Sequence, residues 1–188
     1  MKDRPIELVT ARLLLREFRR ADHFAVHAYV RDPEVTRYTD WGPDGHQATA
    51  AFLAEMARNA AARPRTDYSL AAVERTSGVL VGAVHLGLTN QAHRLGEMGY
   101  VLAPLHWGKG YATEAATATL RFGFRQVGLH KITATCDPDN ITYARFLSKI
   151  GMLYQDYVRE HVLVRGRWRD RLLFAAISPL REYEPPCV

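Results

Sequence analysis

The segment "LHWGKGYATEA", residues 105–115, sets Gly108 and Gly110 around Lys109 and runs into an alanine-rich helical pattern. Glycines beside a lysine ahead of a helix are chemistry for holding phosphate. Unpaired N–H groups and the helix dipole favour an anion, and a residue without Cβ lets it approach the main chain. Two phosphate motifs do not fit. A P-loop needs Ser or Thr directly after Gly-Lys to ligate magnesium, whereas Gly110 and Tyr111 follow Lys109. A dinucleotide fingerprint needs a third glycine at the place of Thr113 and an acid about 20 residues later, where this chain reads "GLHKITA". Two readings remain: a nest of main-chain donors at Gly108, Lys109, Gly110, Tyr111 and Ala112, suited to a pyrophosphate, or glycines that only make a sharp strand-to-helix turn.

Other reactive residue types carry less. His23 and His27 stand four apart on a helical stretch, but they lack a third ligand and the Glu of a metalloprotease helix, so no metal is expected. Cys136 alternates with apolar residues and reads as core, and with Cys187 as the only other cysteine no disulfide framework is expected. Arg165, Arg167, Arg169 and Arg171 cluster late in the chain, either to hold an anionic substrate or to solvate a sheet edge.

The elements that must position the glycine loop follow from periodicity and breakers. "ARLLLREF" reads as a first strand and "HFAVHAYV" as a short helix after Asp22, with "TDWGPDG" a loop. A helix is predicted from Gln47 to Ala62, stopped by Pro64. "YSLAAV" and "VLVGAVHLGL" form a hairpin turning at Ser77-Gly78, and "GEMGYVLA" is a fourth strand leading into the loop. A helix from about Tyr111 to Gln126, a fifth strand "KITATC", a short helix "NITYARFLSKIG" and two late strands around "RGRW" complete the order. This is a mixed α/β (α+β) pattern without strict βαβ alternation. A single domain over residues 1–180 is expected, with 181–188 as a loose tail.

At 188 residues and 47% apolar content the chain suits one ordinary core. A formal charge of +5 favours anionic partners without choosing among nucleic acid, acidic protein or a phosphorylated cofactor. The first residues lack a signal-peptide pattern and no stretch reaches membrane-spanning length, so a cytoplasmic protein without membrane partners is expected.

The arrangement "GEMGYVLAPLHWGKGYATEA", followed by "KITATCDPDNITYARFLSKIGM", resembles the GNAT superfamily of acyl-CoA-dependent N-acyltransferases, in particular its ribosomal-protein N-terminal acetyltransferase-like branch. The family pattern Gln/Arg-x-x-Gly-x-Gly/Ala falls on Trp107 to Ala112, with Trp107 in place of Gln or Arg. A second pattern falls on Asn140, Lys149, Gly151 and Met152. The early strand "TARLLLREF" and late hairpin "RGRWRDRLLFA" extend the likeness from about residue 8 to residue 178. The resemblance implies a strongly twisted, mainly antiparallel sheet with helices on both faces and splayed fourth and fifth strands. It implies acetyl-CoA as the acyl-donor substrate, its pantetheine arm along Tyr100, Val101 and Leu102, its pyrophosphate on Trp107–Ala112, and Asn140 on the other wall.

Acyl transfer from a thioester to an amine needs alignment, a base, a donor for the carbonyl oxygen and a leaving thiol. Strand alternation puts Glu97 on one face with Gly99 and Val101, and the resemblance makes it the first candidate base; its other reading is a surface carboxylate paired with a cation such as Arg94. Glu114 reads as an acid complementing the helix dipole. The family often has a tyrosine at the place of Leu147, whereas Tyr143 stands where serine is common. Tyr143 is thus a candidate acid or an aromatic packed in its helix. Asn140 also suits a helix N-cap.

The acceptor side implied by the fold is lined by Tyr38, Trp41, His85 and residues around Trp168, a setting for an amine of a peptide or protein N-terminus or of a small molecule. Two other functions remain open. An aminoacyl-tRNA-dependent acyltransferase would use the same scaffold and the basic charge, and a non-catalytic acyl-CoA sensor would need no acid at Leu147. A monomer or homodimer is compatible with either.

Overall fold

The computed structural model describes residues 5–179. The expected tail and Cys187 lie outside the described residues. Eight strands form one sheet: β1 (Glu7–Val9), β2 (Leu13–Glu17), β3 (Leu70–Glu74), β4 (Leu80–Asn90), β5 (Leu95–Leu102), β6 (Lys131–Cys136), β7 (Leu153–Val164) and β8 (Arg167–Ile177). Their order is β1-β2-β3-β4-β5-β6-β8-β7, antiparallel throughout except for β5 and β6. The three-residue β1, unmarked by any alternation in sequence, shifts the count, so the strands expected as fourth and fifth are β5 and β6.

Period-two burial divides the core between the two faces of the sheet. On one face Val84, Leu86, Met98, Ile132, Ala134 and Phe174 pack under α3 (Tyr111–Phe122) and α4 (Ile141–Lys149). On the other, Ala71, Val73 and Leu80 pack against Val26, Tyr29 and Val30 of α1 (His23–Val30) and Leu53 of α2 (His46–Ala61). Helix α3 stops four residues short of Gln126 in α form and continues as one π-helical turn, Gly123–Val127.

The parallel β5–β6 ladder pairs only Leu95 with Lys131, Gly96 with Ile132 and Glu97 with Thr133. Beyond Glu97 the strands diverge, because β6 pairs with β8 through Cys136 while β5 stays with β4 through Leu102. The result is a V-shaped opening that ends at the glycine loop.

Two details differ from the sequence reading. "RGRW" is not a loop: Arg165 and Gly166 alone turn the chain, at φ 48° and 77°, and Arg167 already pairs with Val164. Positive φ at both central residues matches the twist of the flanking strands. The four hairpin arginines also do not act as one cluster. Arg171 is buried against Asp137 at 3.1 Å, and Arg165 Nη2 donates to the carbonyls of Gly42 at 2.8 Å and Thr36 at 3.2 Å. The hairpin is thereby tied to the loop between α1 and α2.

His23 and His27 meet a third histidine that lies far away in sequence. His23 Nε2 is 3.1 Å from His46 Nδ1, the His27 and His46 rings stack at 3.6 Å, and His27 Nδ1 contacts Thr49 Oγ1 at 3.2 Å. The stack joins α1 to α2. Among the described residues no group of three or more His, Cys, Asp or Glu is placed to hold a metal ion, and no helix is long and apolar enough to cross a membrane.

Candidate active site

After β5 the chain makes one 3-10 turn, Pro104–His106, and enters the loop. Trp107 turns its indole N–H back onto the Leu102 carbonyl at 2.8 Å, closing the bend. Gly108 and Gly110 then adopt φ 73° and 80°, a left-handed geometry that costs other residues roughly 1–2 kcal/mol, and Gly110 is the N-cap of α3. Gly108, Lys109 and Gly110 are exposed, and the first N–H groups of α3 open onto the same concavity. The loop is braced from below. Arg12 Nη1 donates to the Lys109 carbonyl at 2.9 Å, its guanidinium lies 4.6 Å over the Tyr111 ring, and Nε reaches Glu114 at 2.7 Å. Tyr111 is buried and its hydroxyl bonds Glu74, so it shapes the nest through its main chain alone.

Ladder alternation decides which strand groups face the splay. Ala103 N bonds Val81 O at 2.9 Å, which makes Ala103–Val81 a hydrogen-bonded pair. Two residues back, Val101 is likewise committed to Ala83, while Tyr100 and Leu102 present main-chain groups away from β4 and toward the splay. Of the three expected pantetheine partners, Val101 therefore offers its main chain to β4 and its side chain to the α1/α2 face. Leu102 already shares its carbonyl with Trp107.

On the far wall, Asn140 caps α4, its Oδ1 accepting the Tyr143 N–H at 3.1 Å, with its amide N–H groups left to donate. Tyr143 reaches across the splay and stacks on Tyr100 at 5.2 Å. Burial pushes its pKa above the ordinary range, reinforced by the neighbouring Tyr100, Cys136 and Glu97 and opposed by the Tyr100 main chain. Leu147 is fully buried in the core, worth roughly 1.5–3 kcal/mol as a packed side chain.

Glu97 lies on the α1/α2 face at the last paired rung, its Oε1 3.5 Å from Thr135 Oγ1 of β6. His85 stands on the same face opposite Gly99. Trp41 packs into the α1/α2 core, Tyr38 lies under Arg37 at 5.2 Å, and Trp168 is 59% exposed on the hairpin that Arg165 fastens to the Tyr38–Trp41 loop. These residues surround the side of the sheet opposite α3 and α4.

The model of the "Acetyltransferase (GNAT) domain" matches residues 12–153, which span the brace, the nest, the splay and α4. The chain belongs to the GNAT acetyltransferase family. It is similar to the uncharacterized N-acetyltransferase YnaD of Bacillus subtilis (strain 168), 31% identical over 92% of this chain and 98% of that one. It is also similar to the [ribosomal protein uS5]-alanine N-acetyltransferase of Escherichia coli (strain K12), 26% identical over 93% and 92% of the two chains. The crystal structure of the acetyltransferase (GNAT family) from Bacillus anthracis superposes with a TM-score of 0.82 at 32% identity, over 92% of this chain and 99% of that one.

As an N-acetyltransferase of a family that uses acetyl-CoA, the chain has a donor set that fits that substrate: an anion nest, an adjoining lysine and an open strand edge. Three features were not visible in sequence. The Arg12 brace joins residues about a hundred positions apart, and the Arg165 tie reaches across 123. The third is a cluster of Asp67, Ser69 and His85, formed because Asp67 bridges Gly87 outside the regular strands. Only His85 had a place in the sequence reading.

Proposed function

We propose that this chain, as one acyltransferase domain, transfers an acetyl group from acetyl-CoA to a primary amine of a peptide or protein N-terminus or of a small molecule, by direct attack on the thioester. The observation that carries this reading is the end of β5–β6 pairing at Glu97, beyond which β5 runs on to Leu102 and the glycine loop without β6. A pyrophosphate on Gly108–Ala112 directs the pantetheine along Tyr100 and Leu102, which brings the thioester to the splay. Main-chain N–H groups of that edge receive the developing oxyanion. Glu97 takes a proton from the attacking nitrogen, and Tyr143 stands ready to protonate the departing thiolate. The acceptor enters past Tyr38, Trp41, His85 and Trp168.

We propose the cytoplasm as the compartment of the reaction, with which the free, buried thiol of Cys136 is compatible. The test is release of free CoA thiol from acetyl-CoA with two acceptors, a peptide beginning with alanine and spermidine. Turnover with either supports acetyl transfer and sorts peptide from small-amine acceptors. Acetyl-CoA binding with no transfer to any amine in a wider screen would favour a sensor, and tight binding of tRNA alone would favour an aminoacyl donor.

A further inference from the structure

An ammonium acceptor, R–NH3+, ends as an amide nitrogen with one hydrogen, so two protons must leave it. Glu97 accounts for one. The other must leave before attack, and the α1/α2 face that carries Glu97 also carries an imidazole, His85.

Ser69 gives its single hydroxyl hydrogen to Asp67 Oδ1 at 2.9 Å. Its oxygen therefore meets His85 Nδ1, 3.0 Å away, as an acceptor. Asp67 Oδ2 lies 3.4 Å from the same nitrogen. Nδ1 faces only acceptors and carries the hydrogen, which leaves a lone pair on Nε2 of the neutral ring. The segment bearing Asp67 and Ser69 is held in place by the Asp67–Gly87 bridge and by Arg65, whose Nε donates to the Asp67 carbonyl at 2.8 Å and whose Nη1 pairs with Glu17.

Nε2 lies 3.0 Å from the point that a Cβ on Gly87 would occupy. Gly87 is directly opposite Glu97 in the β4–β5 ladder. Opposed residues on one face stand about 5 Å apart at Cβ, so the imidazole lone pair and the Glu97 carboxylate border one opening floored by a glycine. His85 is exposed, with its side chain at 46%, and is reachable by an acceptor arriving from solvent. The charged groups around the ring are Asp67 beside it, Glu97 across the ladder and Arg65 beyond Asp67.

We propose that His85, oriented by Asp67 and Ser69, is a second base of the site and takes the proton that frees the acceptor amine. This role rests on the acetyl-transfer reading above. R–NH3+ gives one proton to Nε2, and the freed lone pair attacks the acetyl carbonyl. The C–N bond forms, Glu97 takes the second proton from nitrogen, and the C–S bond breaks with its electron pair leaving on the CoA thiolate. Asp67 and Ser69 are positioning residues, since they act through the ring.

The test compares kcat/KM for thiol release by the wild type, His85→Gln, Asp67→Asn and Ser69→Ala between pH 6.5 and 9.5, with spermidine and the alanine-initiated peptide. Acetyl-CoA titration serves as the folding control. His85→Gln is expected to lose about 100-fold near pH 7, with the deficit shrinking as the acceptor loses its own proton at higher pH. Long-range proton–nitrogen NMR of the histidine rings at pH 8, assigned with the His85→Gln variant, should show the hydrogen on Nδ1 in the wild type and a shift toward Nε2 in Asp67→Asn. Wild-type turnover with an unchanged His85→Gln rate, or a wild-type ring protonated on Nε2, overturns the assignment and leaves acetyl transfer intact. A wild type that binds acetyl-CoA but transfers to no amine overturns both.

Discussion

Arg12 and Glu114, 102 residues apart, are bonded twice: the Arg12 main-chain N–H meets Oε1 at 2.6 Å, and its Nε meets Oε2 at 2.7 Å. Thr10 Oγ1 adds a third bond to the carboxylate at 2.6 Å. Burial pushes the Glu114 carboxyl up, but these bonds outweigh it and hold the group below its ordinary value. An acid in the first turn of α3 is thus more than a complement to the dipole. It fixes the arginine that in turn holds the Lys109 carbonyl and the form of the nest.

Glu114→Ala is expected to cost about 2 kcal/mol, from loss of charged hydrogen bonds in a partly buried setting, and to lower Tm by roughly 4–8 °C. With the nest unbraced, acetyl-CoA affinity should fall about tenfold. Thermal denaturation and calorimetric titration check the two effects separately. Arg12→Lys should keep the charge near Glu114 but lose the single Nη1 bond to the Lys109 carbonyl, so acetyl-CoA affinity should fall while Tm changes less than in Glu114→Ala.

Tyr143→Phe isolates the hydroxyl in the splay. An alkyl thiolate with a conjugate pKa near about 8.5 leaves without much help, so kcat should fall by no more than about tenfold while acetyl-CoA affinity stays within about twofold. Because the ring stacks on Tyr100 at 5.2 Å, Tyr143→Ala should additionally weaken donor binding. The contrast between the two variants separates proton donation from packing.

The histidine stack makes stability depend on pH. Burial lowers the pKa of His27 below its usual 6.5, and His46, Arg31 and His23 lower it further. The unfolded chain therefore binds this proton more readily than the folded one. The stabilising difference is fully present above pH 6.5 and is lost as pH falls through that value toward the folded pKa. Tm should fall between pH 7.5 and 5.5, and His46→Gln, which removes the ring stacked on His27, should flatten that slope. Melting curves across this range provide the check.

The sequence shows what is local and periodic. The nest is legible because glycine spacing reports left-handed backbone directly, and the helix of residues 141–149 because cap, breaker and period agree; Asp22, expected to cap residues 23–30, makes no side-chain cap bond there and instead pairs with Arg16 at 2.8 Å. Long-range pairing is not legible in that way. The spacing of His23 and His27 gives no sign of His46, whose 23-residue separation from His23 is closed by the packing of α1 on α2. Arg165 looked like a solvated edge charge, yet a two-residue turn aims it at the Gly42 carbonyl. That the Val101 main chain faces β4 is likewise set by the rung from which the β4–β5 ladder starts, which alternation along one strand does not report. The resemblance puts His85 on the acceptor side, but its partners Asp67 and Ser69 reach it through the isolated Asp67–Gly87 bridge, which no alternation in the sequence marks.

We propose that the loop at 107–112 holds the pyrophosphate of coenzyme A. Gly110 has φ 80° and its absent Cβ would lie 3.4 Å from Arg12 Nη2, so Gly110→Val strains the nest and fills its floor. Calorimetric titration of the wild type and this variant with acetyl-CoA, with free CoA and uncharged tRNA alongside, is the direct measurement. Micromolar binding of acetyl-CoA and CoA by the wild type is expected, with a loss of about 100-fold or more in Gly110→Val and the far-ultraviolet circular dichroism of the wild type retained. Equal acetyl-CoA affinity in a folded Gly110→Val, or binding of tRNA without CoA, would contradict it.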